Sequence, residues 1–184
     1  FYTEPIMDVV NKGLELCYYS RKQIPEELRD AGRRTIKAFD SNSRFFHCEF
    51  FVLNEDKKGL GKKGDIFGLE VNMRPPGGYT PDMMNFANDI DVYQIWADMV
   101  CHDKGFFDPE HRPYAAVYGS QRKGKEYAHN KDDIFAKYGQ NILMYEEMPE
   151  VLASAMGDYA YMARFATDEE MFEFLEYVIE KKEG

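Results

Sequence analysis

The chain has 184 residues, enough for one globular unit or one and a half. Hydrophobic residues make up 44% and aromatics 15%, which supports a packed core and excludes a disordered chain. A formal net charge of −10 argues against a nucleic-acid groove, whose affinity comes from Lys and Arg on phosphates.

Residues 1–23 carry the stretch MDVVNKGLELCYYS, which is compatible with a strand or a short helix. IPEELRDAGRRTIKAF then predicts a helix. Pro25 suits its first turn, Glu26 and Glu27 suit the positive end of the dipole, and Leu28, Thr35, Ile36 and Phe39 recur at helical spacing. RFFHCEFFVL is rich in β formers and predicts a strand. NEDKKGLGKKG is a polar loop punctuated by glycine, and DIFGLEVNMR is a second strand. After Gly77 and Gly78, Thr80 can cap a helix with Pro81 at its first position and Asp82 in its first turn. That helix pauses near NDID and resumes through VYQIWADMVC.

Residues 105–112 read as a linker. The remainder alternates: strand YAAVYGS, helix KDDIFAKYG, strand NILMYEE, short helix PEVLASAM, strand DYAYMARF and a final helix, for which Thr167 to Glu170 form a capping box. The fold class is α+β. The expected organisation is an antiparallel sheet covered by helices over residues 1–104, followed by a small α/β appendage over residues 105–184.

Cys17, Cys48 and Cys101 are odd in number and lack paired spacing, so they imply no disulfide framework and a reducing, cytoplasmic location. No apolar run approaches the roughly 20 residues of a membrane helix. No signal peptide is visible. The chain begins with Phe1 rather than Met and reads as a piece of a longer protein.

Chemistry concentrates on the two central strands. Side chains alternate faces along a strand, so Glu70, Asn72 and Arg74 share one face, and Phe67, Leu69, Val71 and Met73 the other. A hairpin closed symmetrically about Gly59–Leu60 puts Glu49 opposite Glu70 and His47 opposite Asn72. Opposed Cβ atoms lie about 4.5–5.5 Å apart. Two carboxylates that close repel, so one is protonated or both share a cation. Carboxylates with an amide carbonyl are hard oxygen donors that suit magnesium. Arg74 further along could meet phosphate oxygens, and Gly77 and Gly78 allow close approach of backbone to a ligand. The same residues also describe a solvated strand face with a local salt bridge.

FHCEFFVL, a loop, GLEVNMRPPGG and then DIDVYQIWADMV together resemble the C-terminal half of the ATP-grasp fold, over about residues 24–104. The resemblance implies an ATP-dependent ligase, similar to carboxylate–amine ligases and the large chain of carbamoyl phosphate synthase. It would join a carboxylate to an amine or similar nucleophile through an acyl phosphate, with ATP and Mg2+ or Mn2+. It also implies that Glu49, Glu70 and Asn72 are metal ligands and that Arg74 is the catalytic residue that steadies the transferred phosphoryl group. His47 falls where a phosphate-contacting residue lies in relatives.

The family's phosphate-binding lysines, glycine-rich lid and adenine-contacting hinge lie upstream of this half and are not recognisable here. The missing N-terminal half is therefore an implied partner, and the isolated piece is expected to be inactive. A homodimer is compatible with the sequence, which implies neither a nucleic-acid nor a membrane partner. The rivals are a non-catalytic module that keeps the shell without turnover, and a biotin-type carboxylase subunit.

Elsewhere the readings are plainer. Phe45, Phe46, Phe50, Phe51 and Trp96 are read as core, and Cys48 as a small buried hydrophobe. The KKGLGKK loop is read as a solvated loop, and the basic turn QRKGKEY as a surface turn. Cys101 with His102, His111 and His129 form no dyad or metal site. Ser120 and Ser154 lack a G-x-S-x-G context. No G-x-G-x-x-G or P-loop pattern is present.

Overall fold

The structure is a computed structural model that describes residues 1–40 and 42–182. Seven helices and six strands follow one another among these residues: α1 Ile6–Lys12, β1 Cys17–Ser20, α2 Glu26–Ala38, β2 His47–Val52, β3 Ile66–Asn72, α3 Thr80–Asn88, α4 Val92–His102, β4 Ala115–Gln121, α5 Lys131–Tyr138, β5 Ile142–Glu147, α6 Glu150–Met156, β6 Tyr159–Phe165 and α7 Asp168–Ile179. The α+β class holds, with antiparallel sheets flanked by helices. The ambiguous N-terminal stretch contains both elements the sequence allowed, a helix and then a strand.

The strands form two sheets. One has four strands in the order β1-β4-β6-β5, and the other is the β2-β3 pair. The compact units do not follow a single cut near residue 104. One comprises Phe1–Lys22, Asp82–Ile90 and Pro109–Gly184, and the other Gln23–Pro81 and Asp91–Asp108. The carboxylate-bearing strands thus belong to a two-stranded sheet. The larger sheet is built from the C-terminal segment, with β1 added antiparallel along β4 so that Cys17 pairs with Gly119 and Ser20 with Ala116.

In the first unit β4 is buried along its whole length. Its core gathers Ala115 and Val117 of β4, Tyr161, Ala163 and Phe165 of β6, Ile134 of α5, and Met171, Phe174, Leu175 and Val178 of α7. Full burial of a side chain such as Phe174 or Val178 contributes about 1.5–3 kcal/mol. Tyr118 stacks on Tyr18 at 4.7 Å between ring centroids, and its hydroxyl donates to the Met156 carbonyl at 2.9 Å. Thr167 and Asn130 cap α7 and α5 with complete capping boxes.

The second unit holds α2, the β2-β3 hairpin and α4. α2 contacts β3, and Phe45 meets Trp96 with ring centroids 5.4 Å apart. Asp91 caps α4 by accepting from the backbone N–H of Tyr93 and Gln94. The aromatic residues here are less buried than their composition suggests. Phe46, Phe51 and Trp96 are exposed, at 44%, 53% and 41%, and no residue of α2 is fully buried. A two-stranded sheet has too little area to bury large side chains on both faces. Among the described residues, no helix is long and apolar enough to cross a membrane.

Candidate metal and phosphate site

The β2-β3 ladder places His47 opposite Asn72 and Glu49 opposite Glu70. Past Glu49 the register shifts. Phe50 pairs with Gly68 and Phe51 with Phe67, which leaves Leu69 unpaired. This bulge adds one residue to β3, re-aims the strand and moves Phe67 to the face of Phe51 and Glu49, away from the face that strict alternation gives it. Leu69 is 54% exposed as a result. The four polar residues lie beyond the bulge from the loop, whose own pairs, such as Lys57 with Gly61, sit one residue lower, so the bulge is what brings Glu49 opposite Glu70 and His47 opposite Asn72.

One hydrogen-bonded chain links them. The Asn72 side-chain nitrogen Nδ2 donates to Glu70 Oε1 at 2.5 Å and to His47 Nε2 at 2.9 Å. Both partners are acceptors, so the amide's NH2 group points to them and its oxygen to the other side. Because Nε2 accepts, the ring proton of His47 sits on Nδ1 and donates to the Arg74 backbone carbonyl at 3.3 Å. Glu49 Oε1 lies 3.8 Å from His47 Nε2, longer than a hydrogen bond. Glu49 is half exposed, whereas the His47 side chain is 18% exposed. The sequence placed His47 at a phosphate. In the structure both ring nitrogens are engaged by the protein.

Arg74 follows the strand and donates Nη1 to the Pro75 carbonyl at 3.0 Å, which uses one of its five N–H donors. Gly78 has φ +59°, a left-handed turn that a side chain would strain, and at Gly77 an added Cβ would meet nothing within 4 Å.

The donor set offers two carboxylates and an amide oxygen. No cluster of three His, Cys, Asp or Glu residues able to hold a metal occurs among the described residues. All-oxygen donors on an exposed strand pair fit a hard, partly hydrated cation such as magnesium, and not a caged zinc.

The lysine loop is at the other end of the hairpin. Leu53 is four residues from Glu49, about 13 Å along an extended strand. The backbone N–H groups of Lys62 and Lys63 donate to Asp65 and Asp56, each at 2.8 Å. The loop is folded on its own carboxylates. The basic turn after β4 is not a plain surface turn. Arg122 donates to the carbonyls of Leu14, Ala153 and Ser154, and Lys125 to the Gly13 carbonyl and Glu15. Nothing local in QRKGKEY signals this, because the acceptors are backbone carbonyls and the Glu15 carboxylate from distant segments.

No protein-family model matches the chain, and no curated protein does. Two solved structures share its fold. Phosphoribosylglycinamide synthetase from Anaerococcus prevotii matches with TM-score 0.56 and 12% identity, over 88% of this chain and 43% of its own. L-amino acid ligase from Bacillus licheniformis matches with TM-score 0.60 and 17% identity, over 87% of this chain and 41% of its own. The chain shares its fold with part of each and spans less than half the length of either.

Proposed function

We propose that this chain supplies the magnesium- and phosphate-binding face of an ATP-dependent ligase that joins a carboxylate to an amine or similar nucleophile. The observation that carries the reading is the opposed Glu49–Glu70 pair, with Asn72 two residues along, on a fold shared with two ligases. Glu49, Glu70 and Asn72 would hold Mg2+ or Mn2+. When bound, the ion neutralises phosphate charge and fixes the triphosphate for attack.

A carboxylate oxygen attacks the γ-phosphorus of ATP and the bond to the β–γ bridging oxygen breaks, giving an acyl phosphate and ADP. The amine then attacks the acyl carbon, phosphate leaves with the bonding electrons, and the amine loses a proton. Arg74 directs its remaining donors to the phosphoryl oxygens as charge builds, and the Gly77–Gly78 backbone approaches the same group. Catalysis of this kind rests on positioning and electrostatics. The rest of the nucleotide pocket and the carboxylate site would come from the missing N-terminal half, in a cytoplasmic enzyme, alone or as a homodimer.

A second reading, a non-catalytic module, draws on the mutual bonding of His47, Asn72 and Glu70, which satisfies those groups without a metal. Thermal melting of the chain with Mn2+ and ATP separates the two. The ligase reading expects a stabilisation that Glu49→Gln and Glu70→Gln both lose, since a ligand that binds only the native state raises apparent stability. Equal shifts in all three chains, or none in any, favour the module.

A further inference from the structure

We infer that Asn72 and His47 form an autoinhibitory latch: without a cation the Asn72 amide is held with its NH2 group towards Glu70, and a cation between the carboxylates engages the amide only when it turns over. The inference rests on the metal-binding reading above and concerns how that site is regulated. It comes from a count of donors and acceptors. The two protons of Asn72 Nδ2 go to Glu70 Oε1 at 2.5 Å and to His47 Nε2 at 2.9 Å. The amide oxygen, which is the atom a hard cation takes, therefore faces away from both. Glu70 is at the same time engaged by an N–H donor in place of a cation.

His47 holds the latch in this sense and no other. Its Nδ1–H donates to the Arg74 carbonyl at 3.3 Å, so Nε2 carries a lone pair and can only accept. The ring is also packed in, with its side chain 18% exposed. A half turn about the last torsion of Asn72 exchanges its nitrogen and its oxygen. That torsion is broad and two-fold, so the turn itself costs little. What opposes it is the ring. The bond from Nδ2 is lost, and the turned oxygen meets the Nε2 lone pair. Beside Glu70 the turned oxygen is favourable only with a cation to share. Asn72 thus switches with the cation, and His47 sets how much affinity the switch costs.

Mn2+ is titrated into the wild type, His47→Leu, His47→Gln and Glu49→Gln and read by electron paramagnetic resonance, with melting as a check of the fold. Leu offers no acceptor to the latch, and Gln can turn its own amide to donate to the turned oxygen. In the wild type, the 15N–15N coupling carried through the hydrogen bond from Asn72 Nδ2 to His47 Nε2 is followed by NMR as diamagnetic Mg2+ is added.

The expected result is Mn2+ binding about 2–10-fold tighter in His47→Leu and His47→Gln than in the wild type, the equivalent of one net hydrogen bond. The coupling should be present without Mg2+ and vanish as the site fills. If His47→Leu does not fold, His47→Gln carries the comparison. Wild-type or weaker binding in either folded variant overturns the latch and leaves the ligase reading standing. So does a coupling that is absent without Mg2+ or persists at saturation. Wild-type binding no tighter than that of Glu49→Gln overturns both readings together.

Discussion

Glu49 and Glu70 face each other directly across the β2-β3 ladder, immediately before a bulge that shifts every later pair. Two like charges at opposed positions destabilise a sheet by roughly 0.2–1 kcal/mol. In metal-free buffer Glu70→Gln should therefore match or exceed wild type in stability by up to about 1 kcal/mol. Urea unfolding without divalent cations checks this. A loss of stability in the variant would mean that the carboxylate is structural.

Glu15 gives the chain a low-pH limit. Burial pushes its carboxyl up, but hydrogen bonds from Lys181, Tyr127 and Lys125 outweigh that and bring it down from the ordinary 4.5 to about 2. A depressed carboxyl contributes stability that is fully present above its unfolded value and lost as pH falls through its folded value. Melting temperature should thus fall between about pH 4.5 and pH 2 in wild type. Glu15→Gln should be less stable at pH 7 and show a shallower decline across that window. Parallel curves would remove Glu15 from the account.

Gly157 ends α6 with φ +86°, and an added Cβ would lie 2.4 Å from Ser120 Oγ, whose residue is fully buried. Gly157→Ala combines backbone strain of about 1–3 kcal/mol with that clash, so a loss above about 2 kcal/mol is expected. Gly77→Ala meets open space and should change stability by less than about 1 kcal/mol. Chemical denaturation of both variants compares them directly.

Arg122 satisfies three backbone carbonyls, those of Leu14, Ala153 and Ser154. Arg122→Met should cost about 2–3 kcal/mol, because hydrogen bonds from a charged group contribute about 1.5–3 kcal/mol and its loss strips several acceptors at once. A substitution in a plain surface turn would stay within about 0.5 kcal/mol. A value that small would return the turn to the surface reading.

The sequence by itself determined what depends on neighbours a few residues away. The cap at Thr167 bonds to the Glu170 N–H three residues on, so its spacing is written in the chain. The Glu49–Glu70 and His47–Asn72 oppositions match those expected from a hairpin centred on Gly59–Leu60, but the loop itself closes about Gly59, with Lys57 paired to Gly61, and it is the bulge that brings the two carboxylates opposite each other. Tertiary structure decided the rest. β1 joins β4 across about a hundred residues, and no local signal encodes a partner that far away. The bulge at Leu69 was hidden because a loop centre fixes only one register, and it alone changed the face of Phe67. Phe46 and Phe51 carry core-like side chains, yet burial depends on what covers a sheet, and here the sheet has two strands. His47 lies opposite Asn72 as its position in the hairpin implied. Its bonds to Asn72 and to the Arg74 carbonyl depend on side-chain angles that only the folded hairpin fixes.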